Sequence, residues 1–295
     1  MKLRLLLLSL FALVIPVFAQ DPIVSHTLTD EEMALVEEIQ AAYDRFATYP
    51  AIGIDLNQVV DQLIVFEGGE MTQEIAMQME IEMLMDDGQV VAFSALNGQT
   101  LNSNMLSGVL VMEMIYIDEE LYINITETDG VYRGLFASGW GRASENPILQ
   151  DTVGLINQET LNQLNVHFSP EFVEAIALVA EDDLVDAERA IYVNLHPQAL
   201  REQGFLDEFA QQTFQEKAED FDAIFTALLE DAEMELVYNF DADGLLTRVD
   251  LVMFFEGDLG VLLGDAGFLL TQDHTQTAFY RYYDEPITIT APEID

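Results

Sequence analysis

The side chains able to do polar or metal chemistry are scattered along this 295-residue chain. Its four histidines, His26, His167, His196 and His274, have no spacing of the His-Glu-x-x-His kind that sets two ring nitrogens on one metal. Each reads as a surface or capping residue. There is no cysteine, which excludes thiol catalysis, thiolate metal sites and disulfides together. A Gly-x-Ser-x-Gly elbow, a phosphate loop and a dinucleotide fingerprint are all missing. With 54 acidic residues, carboxylate pairs arise by chance and nominate no acid–base couple. Asp241-Ala242-Asp243-Gly244 opens like a calcium loop, but the twelfth position from Asp241 is Val252 and not Glu, so a hairpin turn is the better reading. These residues point to a protein that is not an enzyme and has neither a cofactor nor a metal site.

The distinctive residues are apolar. Of 12 methionines, Met71, Met77, Met79, Met83 and Met85 fall on one face of a single alternating segment; Met112 and Met114 share a second, and Met253 lies on a third. Methionine is flexible and polarizable, suited to apolar surfaces that adapt to varied partners, whereas an ordinary β core prefers Val, Ile and aromatics. Two readings stand side by side: a deformable apolar cavity, or a core filled with Met by composition. Trp140, the one tryptophan, sits between Gly139 and Gly141 and is expected to plug one end of a barrel.

The elements that must position these residues are mostly strands. Residues 29–48 form a helix, opened by a Thr29/Glu32 capping box and striped by Met33, Val36, Ile39, Tyr43 and Phe46. From Asn57 the pattern becomes an antiparallel meander. Segments 57–66, 71–85, 90–96, 109–117, 121–126 and 131–136 are separated by turn sequences at Gly68-Gly69, Asp86-Asp87-Gly88, Asp118-Glu119-Glu120 and Thr128-Asp129-Gly130. In 71–85 the period of two is clean, with Glu74, Gln78, Glu80 and Glu82 opposite the methionines. A helical middle follows: 157–164, a helix capped by Ser169-Pro170 with the stripe Phe172, Ile176 and Val179, and, after a strand at 190–195, a long helix over 198–230. Strands return at 234–240, 245–255 and 275–283. No Gly-, Pro- or Ser-rich linker divides the chain, and both sets of strands are expected in one sheet.

Residues 1–19 have the pattern of a cleavable signal peptide: Lys2 and Arg4, an apolar run from Leu5 to Val17, then Val17-Phe18-Ala19. Residues 20–295 then form a single domain. Thirteen apolar residues are too few to span a bilayer, so a free secreted, periplasmic or cell-envelope protein is expected, monomeric and not membrane-spanning. Formal net charge is −44, with 10 basic residues. That balance excludes nucleic acid and anionic membrane as partners, since both are bound through Lys and Arg.

The order of these elements, with the Asp243-Gly244-Leu245-Leu246 turn and the closing Tyr283-Asp284-Glu285-Pro286-Ile287-Thr288-Ile289-Thr290-Ala291-Pro292, resembles the LolA-like and LppX/LprG lipoprotein-carrier superfamily. The resemblance implies an α+β fold: a curved antiparallel β-sheet, an incomplete barrel, with helices covering its concave face and acyl chains held between them. LppX and LprG are acylated on a cysteine that this chain lacks. The expected cavity is lined by Met77, Met79, Ile81, Met83, Met112, Met114, Tyr116, Leu251, Met253 and Phe255 from the sheet and by Phe209 and Phe221 from the long helix. Its partner would be a lipid or an acylated protein. The alternative is a non-enzymatic structural or interaction protein of the envelope, with a packed core and an acidic, cation-binding surface.

Overall fold

The computed structural model describes residues 27–66, 69–133, 139–145, 170–196, 232–258 and 269–294. One helix, α1 (Asp30–Phe46), precedes eleven strands. The first six are β1 (Ala51–Phe66), β2 (Gly69–Asp86), β3 (Gln89–Ser103), β4 (Ser107–Ile117), β5 (Glu120–Gly130) and β6 (Gly139–Arg142). The last five are β7 (Val173–Leu178), β8 (Arg189–Leu195), β9 (Glu233–Phe240), β10 (Leu246–Asp258) and β11 (Leu269–Tyr283). All belong to one antiparallel sheet in the order β6-β5-β4-β3-β2-β1-β11-β10-β9-β8-β7. Two sequential meanders are thus joined back to back by their innermost strands, β1 and β11. Those strands stay in register from Ala51 opposite Tyr283 to Val65 opposite Leu269 without a shift.

This corrects the expected incomplete barrel roofed by helices. The sheet is open, with β6 and β7 as its edges. Each meander grows outward from the centre, so among the described residues the two end strands lie at opposite edges and do not pair. The alternation in sequence was correct, but it is shared by open and closed sheets. Nor does a described helix roof the whole face. The one α-helix among the described residues packs along the β7–β11 side, and the long helix expected at 198–230, with Phe209 and Phe221, lies outside them. So do the 157–164 helix and residues 1–26.

Local chemistry explains the helix. Thr29 Oγ1 accepts from Glu32 N at 3.3 Å and Glu32 Oε2 accepts from Thr29 N at 2.7 Å, which closes the capping box. Val36, Ile39, Ala42, Tyr43 and Phe46 are buried. Tyr43 meets Tyr238 edge-on with ring centroids 6.2 Å apart, and Phe46 lies 5.1 Å from Tyr280. Across the helix, Arg189 of β8 donates two bonds to the Glu38 carboxylate at 2.7 and 2.9 Å. At its far end Arg45 Nη1 donates to the carbonyls of Asp243 and Gly244 in the β9–β10 turn. That turn is the hairpin expected for Asp241–Gly244, with Asp241 Oδ1 accepting from the Asp243 and Leu245 N–H groups.

Three further expectations change. Phe172, Ile176 and Val179 mark no helix: Pro170–Phe172 is a 3-10 turn and Val173–Leu178 is a strand. A register shift between Val173 and Ala175 puts Val173 and Ile176 on one face three residues apart, a spacing that mimics a helix. The strand expected at 131–136 is not formed at Val131–Arg133, which is a turn, and residues 134–138 lie outside the described set. Trp140 plugs no barrel. It pairs opposite Asn124 on the edge strand β6, half-buried, on the sheet side away from Ile123 and Ile125.

Gly130 has φ of +59°, and a Cβ there would run into the carbonyl oxygen of Ser107. Gly98, inside β3, has open space around its missing Cβ. Gly130→Ala should therefore cost about 2 kcal/mol or more, while Gly98→Ala should be neutral or stabilising by up to about 1 kcal/mol. Urea denaturation followed by circular dichroism measures both.

Candidate functional site

Strand registers define the rows of side chains that share the inner face. One row runs Met112, Asn97, Met79, Leu56, Ala278, Val249, Tyr238, Ile191 across β4, β3, β2, β1, β11, β10, β9 and β8. The next runs Leu110, Gln99, Met77, Gln58, Gln276, Leu251, Leu236, Val193. A third holds Leu101, Ile75, Val60, His274, Met253 and Met234. The outer face carries Glu74, Gln78, Glu80 and Glu82 of β2, all exposed.

Ten of the twelve residues expected to line a cavity therefore lie on one face. Met77, Met79, Met83, Met112, Tyr116, Leu251 and Met253 are buried there, and Ile81, Met114 and Phe255 are partly buried against them. Phe209 and Phe221 lie outside the described residues. The contacts of α1 fall on this same face but at its β7–β11 half, against β7, Arg189, Tyr238, Tyr280 and Tyr282.

Interleaved with the methionines is a polar band that the sequence reading missed. Gln58, Asn97, Gln99, Gln272 and His274 are each less than a tenth exposed on the inner face. Part of the band is an amide ladder in one row: Gln73 Nε2 donates to Gln62 Oε1 at 3.1 Å, and Gln62 Nε2 donates to Gln272 Oε1 at 2.6 Å. Gln62 and Gln73 also touch an open depression of about 550 Å³ that is lined mainly from the outer face, by residues such as Asp61, Glu74, Asn102 and Asp273. Deeper in, satisfaction fails. Gln58 Oε1, Asn97 Oδ1 and both ring nitrogens of His274 have no hydrogen-bond partner among the described residues. Asn97 Nδ2 donates to Met77 Sδ at 3.6 Å, and a thioether is a weak acceptor. Each such orphan costs about 1–3 kcal/mol relative to a satisfied group, which marks the band as a place where something else is needed.

His274 corrects the expectation of a surface histidine: it is 1% exposed. Burial among Val60, Met253 and the amides lowers its pKa to about 4, so it is neutral at physiological pH. The signal in the sequence was a break in phase. Gln58 falls between Leu56 and Val60 in the apolar phase of β1, and Asn97 and Gln99 fall between Ala95 and Leu101 in that of β3.

No family model matches the chain, and no curated protein matches it. Among solved structures, similarity extends to lipovitellin, described for its lipid–protein interactions, at 9% identity and a TM-score of 0.35. That match covers 82% of this chain and 26% of the other, so this chain spans about a quarter of the lipovitellin chain. A DUF1329 family protein from Desulfovibrio piger matches at 11% identity and a TM-score of 0.24, over 88% of this chain and 96% of that one. The translocator domain of the autotransporter NalP from Neisseria meningitidis matches at 7% identity and a TM-score of 0.23, over 85% and 95%. At such values the likeness goes no further than large β-sheets, and no family is assigned from it. No described helix is long and apolar enough to cross a membrane.

The buried imidazole makes stability depend on pH. Unfolded, His274 takes up a proton near pH 6.5; folded, it resists until about pH 4. The unfolded state binds more protons across that window, so stability falls as pH drops from 6.5 to 4 and the loss is complete below it, on the order of 3 kcal/mol from this group. The stability of the unsubstituted chain relative to His274→Leu, measured by urea denaturation, should fall as pH drops through that window. A difference that holds constant with pH would show that the ring is solvated.

Proposed function

We propose that the chain is an exported carrier or sensor that holds acyl chains, from a lipid or an acylated protein, against the inner face of its sheet, without covalent chemistry. The carrying observation is the convergence of Met77, Met79, Met83, Met112 and Met253 from three strands on one buried face, while the contacts of α1 fall to one side of it. Flexible thioethers accept apolar chains of different shape at small cost in strain. Each buried CH₂ contributes about 0.8 kcal/mol, so affinity needs few polar contacts. The LolA-like resemblance of the Asp243–Leu246 turn and of Tyr283–Pro292 supports the same reading, and the signal-like residues 1–19 support export.

A second reading has its own support. The buried apolar residues form one continuous cluster reaching from Met112 to Ile191, as in a packed envelope protein with no ligand. Two measurements separate them. Organic extraction of protein purified without detergent, followed by mass spectrometry, should release acyl species, and a fluorescent fatty acid should bind. A clean extract with no probe binding supports the packed core. The double substitution Met79→Leu/Met83→Leu nearly conserves volume and should cost less than about 1.5 kcal/mol per site. A carrier so altered should change its preference for chain length and unsaturation; a packed core should change nothing but stability.

A further inference from the structure

An acyl chain alone leaves the polar band of the inner face unsatisfied. Gln58 stands opposite Met77 and Gln276, Asn97 opposite Met79 and Met112, and His274 opposite Val60 and Met253, so the band lies among the methionines rather than beside them. Its open atoms have a definite chemistry. Gln58 Oε1 and Asn97 Oδ1 are carbonyl oxygens, which only accept, and neither has a partner among the described residues. His274, kept neutral by burial, adds one acceptor and one donor. The band itself is built from amides and an imidazole, with no cation in it. The nearby charges of β1 and β2, Asp61 and Glu74, lie in the other phase of their strands, on the outer face.

We propose that this band binds a neutral, hydrogen-bond-donating group carried by an otherwise apolar ligand, so that the chain selects hydroxyl-bearing neutral lipids, such as monoacylglycerols or long-chain alcohols, over fatty acids and simple esters. A hydroxyl can donate to the Gln58 or Asn97 carbonyl and accept from the amide or imidazole N–H groups beside it. A carboxylate is an acceptor only. It would face two carbonyl oxygens with no cation to offset the loss of its hydration. A methyl ester brings no donor and leaves both carbonyls unpaired. Selectivity of this kind follows because a site built for a polar group discriminates strongly against an analogue that lacks it. The ladder Gln73–Gln62–Gln272 lies one row from His274 on β11 and continues the polar band across the seam.

The inference rests on the carrier reading, and one competition experiment separates their failures. The full chain is loaded with a fluorescent acyl probe, then titrated with a monoacylglycerol, an alkanol, a fatty acid and its methyl ester of equal chain length. The first two should displace the probe at concentrations at least about tenfold lower than the last two. Gln58→Leu/Asn97→Leu should bring that ratio close to one while keeping or strengthening methyl ester binding. Gln58→Met, close in shape, tests the same point if the double variant does not fold. A probe that never binds removes the carrier reading and this inference together. A probe displaced equally by all four, or best by the fatty acid, overturns the inference alone. Retained selectivity in the Leu variant does the same, and would mean that bound water satisfies the band.

Discussion

Everything in the architecture hangs on one pairing, that of β1 with β11. It is the seam between two meanders that otherwise share no strand contact in the order of the sheet. Pairings between strands consecutive in sequence form the rest at lower entropic cost, but this ladder joins residues more than 200 apart, with Gln62 and Gln272 at a separation of 210. Closing so long a loop is unfavourable before the contacts reward it. The unbroken register from Ala51 to Val65 is what repays it, because a slip of one residue would turn every inner side chain of one meander outward. The seam also sets the site. Gln58, His274 and Gln276 come together only because it holds.

The helix secures the same seam from above. Its Tyr43 and Phe46 rest on Tyr238, Tyr280 and Tyr282, which belong to β9 and β11. Tyr282 in turn donates its hydroxyl hydrogen to the Leu246 carbonyl at the start of β10. Burial pushes the Tyr280 phenol up to about 12, so these rings stay neutral and behave as core. Among the described residues the helix therefore contributes its cover to one meander, and the methionine-bearing strands β2 and β4 of the other lie beyond its ring contacts.

Much of this was legible in the residue pattern. The alternation of Met71 to Met85 against Glu74 to Glu82 placed β2 and both its faces correctly, and the Asp87-Gly88 and Asp243-Gly244 turns lie where their positive φ values require. The helix and its capping box were equally plain. Closure was not, since an open sheet and a barrel use the same period of two and differ only in which end strands meet. The bulge at Val173–Ala175 disguised a strand as a helix for the same reason: a period is read locally, and one inserted residue changes it. The polar band escaped because each amide sits alone in its own strand. Gln58, Asn97 and His274 become a group only after three separate registers are known.

An open sheet of eleven strands carries a hazard that a barrel does not, because each end presents unpaired backbone groups to any passing strand. Here both ends are blunted. β6 has 4 residues, two of them glycine, and β7 has 6 with a bulge and the helix beside it. A second copy seeking to extend the sheet would find only a turn or so of ladder to grip, on a molecule of like charge at −44. The long, well-matched strands lie at the centre and the short, irregular ones at the rim, so edge-to-edge pairing finds little regular ladder to extend among the described strands.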